Sequence, residues 1–307
     1  MRVLAVDVGG TKVRAALFEG TEMLYRKEVP TPRAGGPYAV AEAIERLADG
    51  SFEVISVASM GPLDMESGWV IAAPNSPIGK FAIREPLERA FGVPVLLYND
   101  CVAAAWGEHV LGRGKGMRDL VYVTISTGIG VGAVVDGELA VGRRGNAHEG
   151  GHIVVDLHSD LQCGCGGYGH WEALGGGANL WRVAQRKARE WGESSEGAGL
   201  ALAGEMSPEL LYSLARRGDP FALRLVDYLN SVHAAGIASL IAVYDPEAIF
   251  VGGSIFLNNE DLMKEKIEEY ARKYSILGVP PIYRATFGQD AVLYGALAIA
   301  LRPPQRA

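Results

Sequence analysis

Residues 2–20 read RVLAVDVGGTKVRAALFEG. RVLAVDV is a compact, β-branched run that ends on Asp7 and its neighbour Val8. After the turn GGT, Val13, Ala15 and Leu17 alternate with Lys12 and Arg14, the period of a strand with one face buried. EMLYRKEVP (22–30) supplies a third strand, so the chain opens as a β-meander with a glycine turn between its first two strands. Gly9 and Gly10 let the backbone approach a ligand closely, and successive N–H groups there can form an anion-binding nest. A plain hairpin turn fits the same residues. The acidic Asp7 beside that turn is what a magnesium–nucleotide site needs.

The same plan recurs later in the chain. LVYVTIS (120–126) is a strongly apolar strand, TGIGVG follows, and AVVDGEL (133–139) returns. Set beside DVGGTKVRAALFEG, the stretch STGIGVGAVVDGEL reads as a weak internal duplication. Two such hairpins, one per domain, could grip a nucleotide's phosphates from both sides. Composition shifts at RGKGMRD (113–119), which marks a hinge or domain boundary.

Between the hairpins, residues 36–48 carry Val40, Ala43, Ile44 and Leu47 at helical spacing, and FEVISVAS is a buried strand. The long stretch MGPLDMESGWVIAAPNSPIGKF is rich in Gly, Pro and Asn, which suggests a functional loop with Asn75 in its most turn-like part. EPLERAFG reads as a short helix. VPVLLYND is a strand ending at Asn99-Asp100, and the Ala-rich CVAAAWGEHVLG continues it as a helix. A strand end opening onto a helix is a standard ligand position in an open α/β sheet, although Asp100 there could be only a helix N-cap. Cys101 reads as a packed thiol.

In the second half, SPELLYSLARRG has a Ser cap followed by Pro, a helix start. A long helix through GDPFALRLVDYLNSVHAAGIASLIAVYDP has Leu225, Leu229, Val232, Gly236 and Val243 on one side. EAIFVGGSI is a buried strand closed by a Gly-Gly turn. Glu260 to Tyr274 is an amphipathic helix with Met263, Ile267, Tyr270, Ala271 and Tyr274 inward. The last helix is expected from about Gln289 to Leu301, followed by a frayed tail.

The least regular stretch is GNAHEGGHIVVDLHSDLQCGCGGYGHWE (145–172). Apart from IVV it lacks the apolar period of a helix or strand, and polar loops on rigid scaffolds carry function. Cys163-x-Cys165 followed by His170, with His152 upstream, offers soft and imidazole ligands for one tetrahedral zinc. A surface loop with two buried thiols is the competing reading.

The chain has 307 residues, a size that suits two ordinary domains. Lys plus Arg total 29 against 36 Asp plus Glu, a net charge of −7, and no basic patch of the nucleic-acid kind appears. Three cysteines are too few for a disulfide framework and suit a reducing cytoplasm. The chain enters a strand at once, with no signal peptide or transmembrane-length apolar run, so neither a membrane nor nucleic acid is expected as a partner.

The motifs DVGGT (7–11), ND (99–100), STGIGVG (126–132), EGGH (149–152), CGCGGYGHWE (163–172) and VGG (251–253) together resemble the ROK sugar kinases, most closely the ROK glucokinases and hexokinases. They occur in that family's order and span the chain. EGGH and C-G-C-G-x-x-G are the most specific. The resemblance implies a two-domain α/β actin/hexokinase-like (ribonuclease H-like) ATPase fold with an interdomain cleft. The small domain would be 1–116 plus 289–307, and the large domain, with a zinc-binding loop, 117–288. It implies ATP and Mg2+ as well as a structural Zn2+. Gly9, Gly10, Thr11 and Lys12 would lie on the phosphate side, faced by Thr127 and Gly128. Asp7 would lie near magnesium, and Gly252 and Gly253 would border the adenosine. Asn75, Asn99, Asp100, Glu149, His152 and Glu172 would hold the hexose, with Asp100 as general base toward the 6-hydroxyl. The zinc ligands would be His152, Cys163, Cys165 and His170, where His170 replaces the family's usual third Cys. A homodimer or homotetramer in the cytoplasm is implied as well.

Within such a family glucose is the expected hexose. Glu149, His152 and Glu172 offer a dense set of hydroxyl contacts, and APNSPIGKF (73–81) has no obvious apolar pocket for an N-acetyl group. N-acetylmannosamine, N-acetylglucosamine, fructose and allose are the alternatives. A sugar-sensing regulator would need an added DNA-binding segment, and EGGH with GCGGYGHWE argues against a chaperone-type ATPase.

Overall fold

The computed structural model describes residues 1–71, 78–143, 145–147 and 149–305. Asn75 lies outside the described residues. Contacts divide the chain into two compact units. One comprises Met1–Tyr122, Gly132–His148 and Ala285–Ala307, the other Val123–Val131 and Glu149–Arg284.

In the first unit the opening run forms the expected meander: β1 (Arg2–Val8), β2 (Lys12–Glu19) and β3 (Glu22–Pro30), antiparallel in order. Helix α1 (Ala39–Leu47) leads to β4 (Val54–Ser59), which pairs parallel with the free edge of β1. Short strands β5 (Leu63–Asp64), β6 (Trp69–Val70) and β7 (Phe81–Ala82) form a separate antiparallel sheet within the stretch read as a loop. Helix α2 (Arg84–Phe91) then precedes β8 (Val95–Asn99), parallel to β4, and α3 (Asp100–Val110). The sheet order is β3-β2-β1-β4-β8. β4 is buried at every residue and β1 at all but its first, as their near-continuous apolar runs require of strands covered on both faces. Val40, Ile44 and Leu47 of α1 join Leu4, Val6, Ile55 and Val57 in the core.

The last helix covers β1 and β4 and lies against α3. It approaches α3 so closely that a methyl group on Gly295 would stand 2.2 Å from the Ala103 carbonyl oxygen. Only hydrogen fits there, which explains two glycines, Gly107 and Gly295, inside otherwise Ala-rich helices.

A second five-stranded sheet holds β9 (Leu120–Ile125), β10 (Ile129–Val135) and β11 (Glu138–Leu139), with β12 (Ala248–Gly252) and β13 (Ile282–Arg284) further along the chain. Its order, β11-β10-β9-β12-β13, repeats the first sheet's plan: hairpin partners on one side of the founding strand, later strands on the other. The hairpin likeness in the sequence therefore extends to whole sheets. Between β11 and β12 come α4 (Trp171–Gly175), α5 (Leu180–Trp191), α6 (Glu196–Ala203), α7 (Pro208–Arg216) and α8 (Pro220–Tyr244). The Ser207 hydroxyl caps α7 by accepting from Leu210 N–H at 3.2 Å. α9 (Ser254–Tyr274) and α10 (Ala291–Leu301) complete the chain.

Several helix details differ from the sequence expectation. Val243 is 73% exposed, beyond the stripe that buries Leu225, Leu229, Val232 and Gly236. Tyr274 is also exposed, in the last turn of α9. α9 begins at Ser254 rather than Glu260 and breaks at Asn259 (φ −137°, ψ 24°). The tail is not frayed as far as Pro304, which is buried, and the Arg302 carbonyl accepts from Trp106 Nε1 at 2.7 Å. α8 is long and apolar enough to cross a membrane by composition, but 61% of its most apolar window is buried inside the protein, as in a core helix.

Candidate active site and metal centre

In the first unit, the parallel register sets the ends of three strands level: Val8 pairs with Ser59, and Ser59 with Asn99. Asp7 and Asp100 therefore lie at the same end of the sheet, with β4 between β1 and β8. Asp7 is buried, and Arg14, its direct cross-strand partner, binds Asp7 Oδ2 through Nε at 2.7 Å and through Nη2. Burial pushes the Asp7 carboxyl up to about 6. The Arg14 and Arg26 guanidiniums oppose that rise, and the nearby Asp100 charge adds to it. Arg14 is in turn held by the Gln289 carbonyl at 2.7 Å. Sequence alternation placed Arg14 among outward polar residues; the hairpin register is the signal that pairs it with Asp7.

The turn between β1 and β2 is tight. Gly9 N–H donates to the Lys12 carbonyl at 3.0 Å, and the Thr31 hydroxyl donates to the Gly9 carbonyl at 2.7 Å. Thr11 is exposed, and the Lys12 ammonium pairs with Glu28. At the end of β8, Asn99 caps α3: its Oδ1 accepts from Cys101 N–H at 2.9 Å and Val102 N–H at 3.2 Å. Asn99 thus does the capping work weighed for Asp100, which stands at the first helical position and accepts from Cys101 N–H at 2.8 Å. Cys101 is buried.

In the second unit, the β9–β10 turn carries Thr127 and Gly128, closed by Ser126 N–H donating to the Gly128 carbonyl at 3.0 Å. α4 is stitched to this turn. Glu172 Oε2 accepts from Ile129 N–H at 2.9 Å. Just beyond α4, Gly177 N–H and Ala178 N–H donate to the Ser126 and Thr127 carbonyls, each at 2.9 Å. Gly253 has φ +86°, and any side chain there would meet Ile125 backbone atoms at 2.4–2.6 Å, so Gly252-Gly253 brings the start of α9 against the end of β9. Ser126 and Ser254 hydroxyls are 2.9 Å apart. Next to them, α7 and α9 border a cavity of about 440 Å³ lined by Pro208, Tyr212, Arg216, Ser254, Ile255 and Asn258.

The irregular loop brings its ligand-type residues together. The donor atoms of His152, Cys163, Cys165 and His170 all lie within 4.8 Å of one another. His152 Nδ1 is 3.6 Å from Cys163 Sγ, and His170 Nδ1 is 3.3 Å from Cys165 Sγ. Glycine makes the packing possible: a methyl on Gly167 would be 2.3 Å from the His170 ring, and Gly169, at φ +69°, would collide with the Asp156 carbonyl at 2.1 Å. Burial pushes the Cys163 thiol up to about 12, so a thiolate there needs a cation beside it. Two imidazoles and two thiols clustered this tightly match the donor set of a closed tetrahedral zinc site. His152 turns its other nitrogen, Nε2, toward Glu149 Oε2 at 3.4 Å. Burial raises the Glu149 carboxyl above its usual range, an effect His152 opposes and Glu172 reinforces. Cys163 Sγ lies 3.7 Å from Glu172 Oε1, so metal cluster and carboxylates form one patch.

Two buried partners escaped the sequence reading. Trp171 Nε1 donates to His233 Nδ1 at 3.1 Å, and both residues are buried. No motif signals this pair, because its members are 62 residues apart.

Known proteins resemble this chain over nearly its whole length. A model of the ROK family matches residues 3–303. A glucokinase of Pyrobaculum calidifontis is 41% identical over 305 residues, covering 99% of this chain and 96% of that protein. A glucokinase of Aeropyrum pernix is 41% identical over 312 residues, covering 99% and 98%. The crystal structure of a ROK family glucokinase from Streptomyces griseus in complex with glucose and AMPPNP superposes with a TM-score of 0.81 at 31% identity, covering 96% of this chain and 98% of that one. The fold is that of these two-domain kinases.

Proposed function

The chain belongs to the ROK family, and from that premise we propose that it is an ATP-dependent kinase that phosphorylates the 6-hydroxyl of glucose, with Asp100 as general base. The observation that carries the reading is the placement of Asp7 and Asp100 at the same end of one sheet, near enough for the Asp100 charge to act on Asp7, in a chain 41% identical to glucokinases across nearly its whole length.

Asp100 accepts the proton of the 6-hydroxyl as that oxygen attacks the terminal phosphorus of ATP. Asn99 spends its carbonyl oxygen on the helix cap, which leaves its amide NH2 to donate to a sugar hydroxyl. Asn75, Glu149, His152 and Glu172 read the remaining hydroxyls. A site that bonds each hydroxyl strongly penalises sugars lacking one. On the nucleotide side, backbone N–H groups of Gly10 and Thr11 and of Thr127 and Gly128 stabilise the transferred phosphoryl oxygens, while Gly9, whose own N–H closes the turn onto the Lys12 carbonyl, shapes that turn. Lys12 would exchange its surface partner Glu28 for a phosphate. Gly252 and Gly253 border the adenosine, and the adjoining cavity has room for its base.

Magnesium, when bound, neutralises phosphate charge, and Asp7 is the side chain that would face it. Zinc, when held by His152, Cys163, Cys165 and His170, is structural. His152 would then face the metal through Nδ1, which would fix its tautomer and leave Nε2, now toward Glu149, for the sugar. The same reading places the enzyme in the cytoplasm as a homodimer or homotetramer. A panel of sugars with ATP, read by ADP production, tests the function. Glucose should give the highest kcat/KM, and a clear preference for N-acetylmannosamine or another N-acetylhexosamine overturns the choice of substrate.

A further inference from the structure

Helix α4 is only five residues long, yet three consecutive residues at its start have distinct partners. His170 belongs to the metal cluster, Trp171 points into the core, and Glu172 reaches the β9–β10 turn. So short a helix has little stability of its own, and its orientation is set by what grips it.

The grip on Trp171 comes from α8. Gly236 lies so close that a methyl group there would be 2.3–2.5 Å from the indole ring, and a methyl on Gly175 would be 2.8 Å from His233 Cε1. The two helices thus pack with an indole over one glycine and an imidazole against another. At the centre of this contact, His233 Nδ1 accepts the indole N–H at 3.1 Å. An indole is a donor only, and buried donors need an acceptor. Burial pushes His233 down to about 4, so its ring is neutral near pH 7, as an acceptor nitrogen must be. Nothing in the phosphoryl transfer uses His233, which makes a fully buried imidazole among the apolar residues of α8 a choice that packing alone does not require.

We propose that His233 is a positioning residue for the sugar site, holding Trp171 so that the adjoining Glu172 carboxylate stays fixed, independently of the metal cluster. The proposal rests on the reading of Glu172 as a hexose contact. His170 tethers α4 from the side of the loop and His233 from the side of the core, so the orientation of Glu172 has two supports. Loss of the His233 support should act on glucose and leave the nucleotide and the metal largely untouched.

The test compares wild type with His233→Phe, which fills the space without an acceptor, and His233→Asn, whose carbonyl oxygen can stand near the Nδ1 position. His233→Phe should raise the glucose KM by about 5- to 20-fold, the scale of one unsatisfied buried donor. The ATP KM should stay within about twofold, a margin assigned to a site the indole does not touch. Zinc content should equal that of wild type, and His233→Asn should recover most of the glucose KM. If His233→Phe fails to fold, Trp171→Phe removes the same bond from its donor side and should also raise the glucose KM. A folded variant lacking the bond with an unchanged glucose KM overturns the proposal. So does an equal rise in both substrates' KM that His233→Asn does not relieve, which is the pattern of general loosening. Wild-type protein that fails to phosphorylate glucose at all removes the underlying substrate reading, a result distinct from either variant outcome, and the proposal goes with it.

Discussion

Replacing Gly128 with Ala should damage glucose use by way of Glu172. A Cβ on Gly128 would lie 2.4 Å from Glu172 Oε2 and 3.2 Å from the carboxylate carbon. That is far inside contact distance, and Oε2 is the atom that accepts from Ile129 N–H at 2.9 Å. The backbone at Gly128 does not lie in the left-handed region, so Ala meets no intrinsic strain there. The carboxylate must therefore swing away and give up a charge-assisted hydrogen bond worth about 1.5–3 kcal/mol. At about 1.4 kcal/mol per factor of ten, a midpoint loss of about 2 kcal/mol corresponds to roughly a 30-fold drop in kcat/KM for glucose. Steady-state kinetics with ATP saturating measure it. A double-mutant cycle isolates the cause, because Glu172→Ala removes the colliding carboxylate and should make the added Gly128→Ala cost much smaller. Full additivity of the two substitutions, or a single variant within about threefold of wild type, would refute the reasoning, since neighbours in contact are expected to couple.

Other expectations follow from the same geometry. Protein purified without chelator should carry one zinc per chain, with His170→Cys retaining it and His170→Ala losing both zinc and glucose affinity; less than about 0.2 zinc per chain with full activity would sink the metal reading. His233 also predicts a pH dependence of stability. Its folded pKa of about 4 lies below the usual 6.5, so the unfolded chain binds the extra proton first, and stability is full above pH 6.5 and falls toward pH 4. The full window is worth about 3 kcal/mol, from about 1.4 kcal/mol per unit. Melting temperatures between pH 7.5 and 5 should fall less steeply for His233→Asn than for wild type, and identical slopes would contradict the burial argument.

The sequence foretold best what depends on local chemistry. The largely apolar runs of β1 and β4, the glycine turn after Asp7 and the Ser207-Pro208 helix start all appear where their residues ask for them. The repeated Thr/Gly hairpins hinted at duplication, and the matching strand order of both sheets extends that hint. What stayed hidden depends on register or on distant packing. Arg14 looked like an outward polar residue because alternation cannot show that a cross-strand carboxylate waits on the same face. Asp100 could be weighed as a cap, whereas the preceding Asn99 has the extended backbone that a cap needs. The break in α9 at Asn259 coincides with contacts between distant elements: Arg216 Nη1 of α7 donates to Asn259 Oδ1 at 2.9 Å, and Asn259 Nδ2 donates to the Ile255 carbonyl at 2.8 Å. Spacing, residue type and the family resemblance group His152, Cys163, Cys165 and His170, and the loop's glycines are what allow the donors to converge.

The proposed reaction turns on Asp100 taking the proton from the 6-hydroxyl of glucose. The most direct measurement is the rate of glucose 6-phosphate formation from ATP and glucose by wild type and by Asp100→Asn, which keeps the shape and removes the basicity. The account predicts glucose 6-phosphate formed one for one with ADP by wild type, and turnover slower by at least ~100-fold in the variant, the usual scale of general-base catalysis, with glucose binding largely retained. Glucose 6-phosphate produced by Asp100→Asn at near wild-type rate would contradict it.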